Sequence, residues 1–248
     1  MKKTLIFWLI CAIGFSQADT SFKEANDLYN TGFYQDAIEL YSSILESNLH
    51  SAELYYNLAN CYYKLNEIGP SVFYYEKALQ LAPNDPDIIN NLGYAQKMTI
   101  DAIQEVPENG VSKLLTKTLN SYSVEGWAIR SVCLAFLFVF LFLGYYLSHS
   151  ESKKRLFFVS SSLAIVLLIA SLTLLFKKER LDDKTNPAII FAVEAEVKAE
   201  PNLRSETAFT LHEGTKVLIL ETYNSNWSKI KLSNGETGWI SSIELKAL

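Results

Sequence analysis

The sequence predicts a multidomain membrane protein: an all-α repeat solenoid, then a two-helix transmembrane hairpin, then a small all-β barrel. Three observations carry this reading. Residues after position 19 recur with a period of 34. Two long apolar runs, 128–147 and 156–176, flank the polar stretch 148–155. After Pro187 the hydrophobic pattern changes to short runs of period two.

The amino terminus sets the frame. Met1-Lys2-Lys3 precedes an apolar run over 5–15, and Ser16 and Ala18 place small residues for cleavage before Asp19. This is the layout of a secretory signal peptide covering 1–18. The run is short for a membrane span. An uncleaved anchor is the other reading, and in either case the segment after residue 18 is exported.

In the region 19–118, Asn26 matches Asn60, Tyr29 matches Tyr63, Tyr41 matches Tyr75, Leu45 matches Leu79 and Asn57 matches Asn91, all at the same offset of 34. A helix–turn–helix unit has this period. Gly32, Tyr34, Ala37 and Tyr41 in the first unit, and Leu58, Ala59, Tyr62, Ala78 and Pro83 in the second, occupy the signature places of the tetratricopeptide repeat, which the region resembles. Ser71 stands where that family usually has Ala, and it is small enough to keep the helix crossing close. A third unit opens with Asn91-Leu92-Gly93-Tyr94, but its second half near Glu105-Val106-Pro107 has lost the pattern and reads as a cap or half-repeat. The resemblance implies a concave groove lined by the first helix of each unit. By register, Asn26, Tyr29, Asn57, Asn60, Tyr63 and Asn91 face it and become peptide-binding candidates. Asn amides both donate and accept, and Tyr adds apolar area with a polar tip. The competing reading is that these residues decorate a short scaffold. Nearby lysines (Lys23, Lys64, Lys97) are too sparse to indicate an acidic peptide.

Pro107-Glu108-Asn109-Gly110 is a turn. The stretch 111–119 then spaces apolar residues helically, with two lysines. It fits a helix lying along the headgroups before Trp127, and equally a plain linker.

The two apolar runs contain twelve and fourteen Leu, Ile, Phe or Val residues. At roughly −0.3 to −0.6 kcal/mol each, either run favours insertion by about −4 to −8 kcal/mol before polar costs. Arg130, near the start of the first run, can snorkel to the headgroups. A hairpin returns the chain to the side it left. With an exported leader, 148–155 is the cytoplasmic loop, and both flanking segments sit on the periplasmic side of a bacterial inner membrane. Lys153, Lys154 and Arg155 agree with that orientation, whereas Lys177, Lys178, Arg180 and Lys184 oppose it.

In 189–248, strands are expected at Ile189–Val193, Lys216–Glu221, Trp227–Leu232 and Thr237–Ile240, with turns at Glu213-Gly214 and Ser233-Asn234-Gly235. Such short strands suggest a small closed barrel. Asn202-Leu203-Arg204-Ser205, Gly214-Thr215, Trp227, Lys229-Ile230, Asn234-Gly235 and Gly238-Trp239-Ile240 closely resemble the bacterial SH3-like domain. Members of that family commonly lie outside the cytoplasm and bind peptides or cell-wall material. Tyr223, Trp227 and Trp239 are surface-binding candidates, although Trp239 and Ile240 read more readily as core.

Enzymatic, metal and nucleic-acid functions find no support. The formal charge is −5 and the pI about 5.3, which gives no basic face for nucleic acid. Cys11, Cys61 and Cys133 fall in separate segments, as do His50, His149 and His212. No disulfide framework, zinc spacing, cofactor motif or nucleophile–histidine pair is therefore indicated, and no catalytic residue is assigned.

The order of leader, repeats, two membrane helices and SH3-like domain resembles the BatE-type proteins of the Bacteroides aerotolerance group across essentially the whole chain. That resemblance implies a complex with membrane partners carrying von Willebrand A-type domains, alongside a MoxR-type ATPase, and a link to oxidative-stress resistance. The expectation is a non-enzymatic inner-membrane adaptor contacting other membrane proteins and the bilayer. The alternative is a binder of cell-wall peptides that recruits an envelope enzyme through its repeats.

Overall fold

The computed structural model describes residues 19–101, 103 and 110–248. The expected leader and the third repeat's second half, near Glu105-Val106-Pro107, lie outside the described residues. The chain divides into two compact units. One joins the segment before residue 107 to Asn186–Leu248, and the other is the stretch between.

The first unit begins with helices α1 (19–31), α2 (Tyr34–Glu46), α3 (Ala52–Lys64), α4 (Ile68–Leu81) and α5 (Pro86–Lys97). Their ends come from local chemistry. Ser51 Oγ accepts from the Leu54 amide at 3.1 Å to cap α3, and Asp85 caps α5 with Pro86 at its first position. The turns after α1 and α3 use a left-handed residue at equivalent places, Gly32 (φ +88°) and Asn66 (φ +61°). The same backbone hydrogen bond closes both turns, from the Phe33 amide to the Leu28 carbonyl and from the Glu67 amide to the Tyr62 carbonyl, each at 2.9 Å. Ala25, Ala37, Ala59, Ser71, Ala78 and Ala95 are fully buried where helices cross. Ser71 satisfies its hydroxyl by donating to the Ala59 carbonyl at 3.1 Å.

The carboxyl-terminal part is an antiparallel sheet of β1 (Asn186–Ile190), β2 (Glu194–Lys198), β3 (Thr207–His212), β4 (Lys216–Tyr223), β5 (Trp227–Lys231), β6 (Thr237–Ser241) and β7 (Leu245–Ala247). Its order is β3-β2-β6-β5-β4-β1-β7. Ala188, Ile190, Ala195, Val197, Leu211, Val217, Ile230 and Ile240 form one core, so the sheet curls around it. Among the described residues the ladder runs from β3 to β7, with β7 paired to β1. The first strand starts earlier than expected, at Asn186. Strands β2, β3 and β7 are additional to those the sequence pattern predicts. The Glu-Ala-Glu-Val-Lys alternation of β2, with Ala195 and Val197 buried, is the available signal. Asn224 and Ser225, both at positive φ, make the tight β4–β5 turn.

Repeats and sheet share a seam. Period two sends Ala188 and Ile190 into the sheet core and Ile189 into the cluster of Ile68, Val72, Phe73, Ile88 and Leu92 from α4 and α5. Phe191 meets Phe73 edge-on at 5.5 Å, and the Lys246 ammonium lies 4.7 Å from the Phe73 ring centre. The sheet thus covers the end of the helix stack that a further repeat helix would cover, which supplies the cap such arrays require.

The second unit contains α6 (Gly110–Leu119), α7 (Val124–Leu147) and α8 (Glu151–Lys184). Helices α7 and α8 are long and apolar enough to cross a membrane. Their large apolar side chains, Phe136, Phe140 and Val166 among them, are mostly exposed. Only Ser148–Ser150 separate them, because helical hydrogen bonding continues through the polar residues 151–155. At 34 residues, α8 also continues past the apolar run at its far end. The helices meet at small residues: Ser131 and Ser171 share a hydrogen bond of 2.9 Å, and a Cβ on Gly144 would lie 2.9 Å from the Phe157 ring. Arg130 rests on the faces of Tyr122 (5.0 Å) and Trp127 (5.6 Å). Trp127 is itself buried, its indole N–H donating to the Leu119 carbonyl at 3.2 Å.

Candidate functional site

Two surfaces of the first unit collect the residues singled out in the sequence. On the repeats, Asn26 accepts from the Tyr41 hydroxyl at 2.5 Å and from the Asn57 amide at 3.0 Å. One period later Asn60 accepts from the Tyr75 hydroxyl and, at 3.2 Å, from the Asn91 amide. Asn91 donates also to Tyr56 at 2.8 Å. The repeated asparagines therefore tie consecutive helices together through their amide oxygens. Burial raises the Tyr41 and Tyr75 hydroxyls above their ordinary pKa, so both stay neutral donors at every physiological pH.

The second trio borders a pocket of about 150 Å³ lined by Tyr29, Asn60, Tyr63, Lys64, Tyr75, Asn91 and Tyr94. The structure thus brings Tyr29, Asn60, Tyr63 and Asn91 to one place. Asn26 and Asn57 are not in its wall and belong to the first trio. Tyr94, over half exposed, and Lys64 complete the wall. Tyr94 stands 34 residues after Asn60, so the repeat register points to it, but the change from Asn to Tyr removes the residue match that marked the other candidates. Lys97 sits 5.5 Å over the Tyr94 ring. Among the described residues no hydrogen bond engages the Asn60 Nδ2 or the Asn91 Oδ1, which leaves a donor and an acceptor beside the aromatic rings.

On the sheet, strand register places Tyr223, Trp227, Lys229 and Trp239 on one face. Tyr223 meets Trp239 edge-on at 6.3 Å, and the Lys229 ammonium stands 5.5 Å from the Trp239 ring centre. The same ammonium pairs with Glu221 at 3.1 Å. The expectation that Trp239 and Ile240 are both core is corrected for Trp239. Alternation buries Ile240 fully and leaves Trp239 partly buried on the opposite face, beside Tyr223 and Lys229. An aromatic platform edged by opposite charges can stack on a flat or apolar group and hold polar groups at its rim.

Between these surfaces runs the polar seam. The Asp101 carboxylate accepts from the His212 backbone amide (2.7 Å), bonds its ring Nδ1 (2.8 Å) and accepts from the Thr215 hydroxyl (2.6 Å). Burial alone would push that carboxyl up. The hydrogen bonds from Thr215 and His212, with the adjacent imidazole, outweigh it and hold the carboxyl below the usual carboxylate range. Lys216 bonds Glu76 at 2.7 Å, and Glu213 accepts from the Gly69 amide at 3.2 Å. These partners anchor the sheet to the helices.

Known proteins resemble both parts of this unit. Residues 52–85 match the tetratricopeptide repeat family, and residues 194–246 match the bacterial SH3 domain family. The chain is 34% identical over 53 residues to the cell wall-binding protein YwsB of Bacillus subtilis (strain 168). That match covers 21% of this chain and 30% of YwsB, so the chain spans less than a third of that relative. The chain joins a repeat of the tetratricopeptide kind to a bacterial SH3-type sheet. Both are typically non-catalytic binding domains. Cys61 agrees with a packing role: it is fully buried, and burial pushes its thiol up to about 12.

Proposed function

We propose that the chain is a non-enzymatic, membrane-anchored interaction scaffold whose repeats and SH3-type sheet act as one binding body. The observation that carries this reading is the convergence of Tyr29, Asn60, Tyr63, Asn91 and Tyr94 on one pocket of the repeat surface. An extended peptide there finds aromatic area together with an amide donor and acceptor. Helices α7 and α8 form the anchor, a hairpin spanning a bacterial inner membrane. The packing of the two flanking segments into one unit supports a hairpin that enters and leaves on the same side. The signal-like leader favours the periplasmic side. Resemblance to the BatE-type proteins points to partners among membrane proteins with von Willebrand A-type domains and to a role in oxidative-stress resistance. The test is affinity capture of the full chain from solubilised membranes, against Tyr63→Ala and Tyr94→Ala, since neither side chain enters the asparagine network. Recovery of such membrane proteins by the wild type, and their loss in both variants, is the expected result. Equal recovery by all three chains removes the groove from the reading.

The match to YwsB favours a second reading, in which the face bearing Tyr223, Trp227 and Trp239 binds cell-wall peptides. Co-sedimentation of the solubilised full chain with purified wall, lost in Trp239→Ala, supports it. A chain that stays in the supernatant excludes it. The full chain is needed because a segment beginning near residue 189 would expose Ile189 and Phe191, which pack on the helices.

A further inference from the structure

Helix α6 is amphipathic, and its apolar face is unpartnered over half its length. At 100° per residue, Leu114 and Leu115 lie on one side with Thr118 between them, Leu119 continues that side towards Ser112, Lys113 and Thr116 lie opposite, and Lys117 flanks it. Leu119 is buried, yet Leu114 is 67% and Leu115 39% exposed. The carboxyl end of α6 is held within its own unit at a defined level. The Leu119 carbonyl accepts from the Trp127 indole, and Lys178 donates to Asn120 at 3.1 Å. Lys178 lies just past the apolar run of α8, and Trp127 lies in the first turn of α7. The end of α6 is therefore fixed where both long helices change from apolar to polar. Tyr122, Trp127 and Arg130 cluster there, the residue types that settle at a membrane–water boundary.

We propose that α6 lies in the headgroup plane, with Leu114 and Leu115 buried among lipid and Lys113 and Lys117 on anionic headgroups. This rests on the reading of α7 and α8 as a membrane hairpin. The occupant is lipid rather than protein because the apolar face continues from the hairpin's own end and two lysines flank it. Glu125, Glu179, Asp182 and Asp183 are the acidic residues nearest this end in the sequence; Lys178 pairs with Asp182 at 3.0 Å, and among the described residues no ion pair engages Lys113 or Lys117.

The test uses the full chain with Cys11→Ser and Cys133→Ser, the fully buried Cys61 being closed to the label, reconstituted in phosphatidylcholine vesicles with or without phosphatidylglycerol. Spin labels are placed singly on Ser112→Cys, Leu114→Cys, Thr116→Cys and Phe140→Cys, and their accessibility to oxygen and to a water-soluble nickel chelate is measured. Oxygen should dominate at 114 and 140 and the chelate at 112 and 116. The label at 114 should move deeper with phosphatidylglycerol, and Lys113→Gln with Lys117→Gln should abolish that shift. A label at 114 as chelate-accessible as those at 112 and 116, with 140 protected, overturns the interfacial helix alone. Chelate access at 140 overturns the membrane hairpin, and the inference with it. A phosphatidylglycerol shift that survives loss of both lysines refutes the headgroup contact.

Discussion

At the residue scale the asparagines have two roles that mutation can separate. Asn60 accepts from Tyr75, a fully buried side chain, so removing the amide strands a hydroxyl in the core. Asn60→Ala should lower unfolding free energy by about 1–3 kcal/mol. Tyr75→Phe should cost about 1 kcal/mol, and the double variant much less than the sum, read from denaturant melts as a mutant cycle. Full additivity would show that the bond contributes nothing. Asp101 offers a pH-dependent counterpart. Its carboxyl is held below its ordinary range, so its contribution is complete above the unfolded value of about 3.9 and is lost as pH falls through the folded value. Asp101→Asn should therefore cost about 1–3 kcal/mol at pH 7, with the gap to wild type closing in acid. A gap that stays constant down to about pH 2 would contradict the assigned hydrogen bonds.

At the element scale two left-handed glycines in sheet turns differ instructively. Gly235 (φ +97°) faces open space, whereas a Cβ on Gly214 (φ +83°) would lie 2.7 Å from Thr99 and 3.1 Å from Ile68 of the repeat part. Gly235→Ala should cost only backbone strain, about 1–2 kcal/mol. Gly214→Ala should cost that plus overpacking, about 2–4 kcal/mol together. Paired thermal melts measure the difference, and equal costs would mean the seam yields freely. Both glycines are legible in the sequence as turns. That one of them is also a contact surface is not, because turn chemistry is local and the residues it meets are distant in the chain. The asparagine bonds are hidden for a related reason. The period of 34 marks the residues, but their partners lie at offsets of 15 and 31, set by how helices stack.

At the scale of the whole molecule, one compact unit is built from both ends of the chain, and the apolar helices are inserted between them. Replacing 107–185 with a flexible linker should then give a soluble protein that melts in one transition, because Ile189 and the Asp101 bonds couple the parts. Two resolved transitions in calorimetry would show that repeats and sheet fold independently.

Features that depend on neighbours along the chain were legible before the fold was known. The helical repeats come from their period, the paired long helices from the length of their apolar runs, and strands β4, β5 and β6 from alternation closed by glycine turns. The sequence also named four of the residues around the repeat pocket, since register along a helix is a local property. Tertiary structure alone decided that the asparagines spend their carbonyls on helix-to-helix bonds, that Trp239 faces outward while Ile240 faces in, and that the sheet caps the repeats. Those outcomes rest on burial and hydrogen bonding between segments as much as 144 residues apart. Pairwise complementarity over such distances leaves no periodic trace in the sequence.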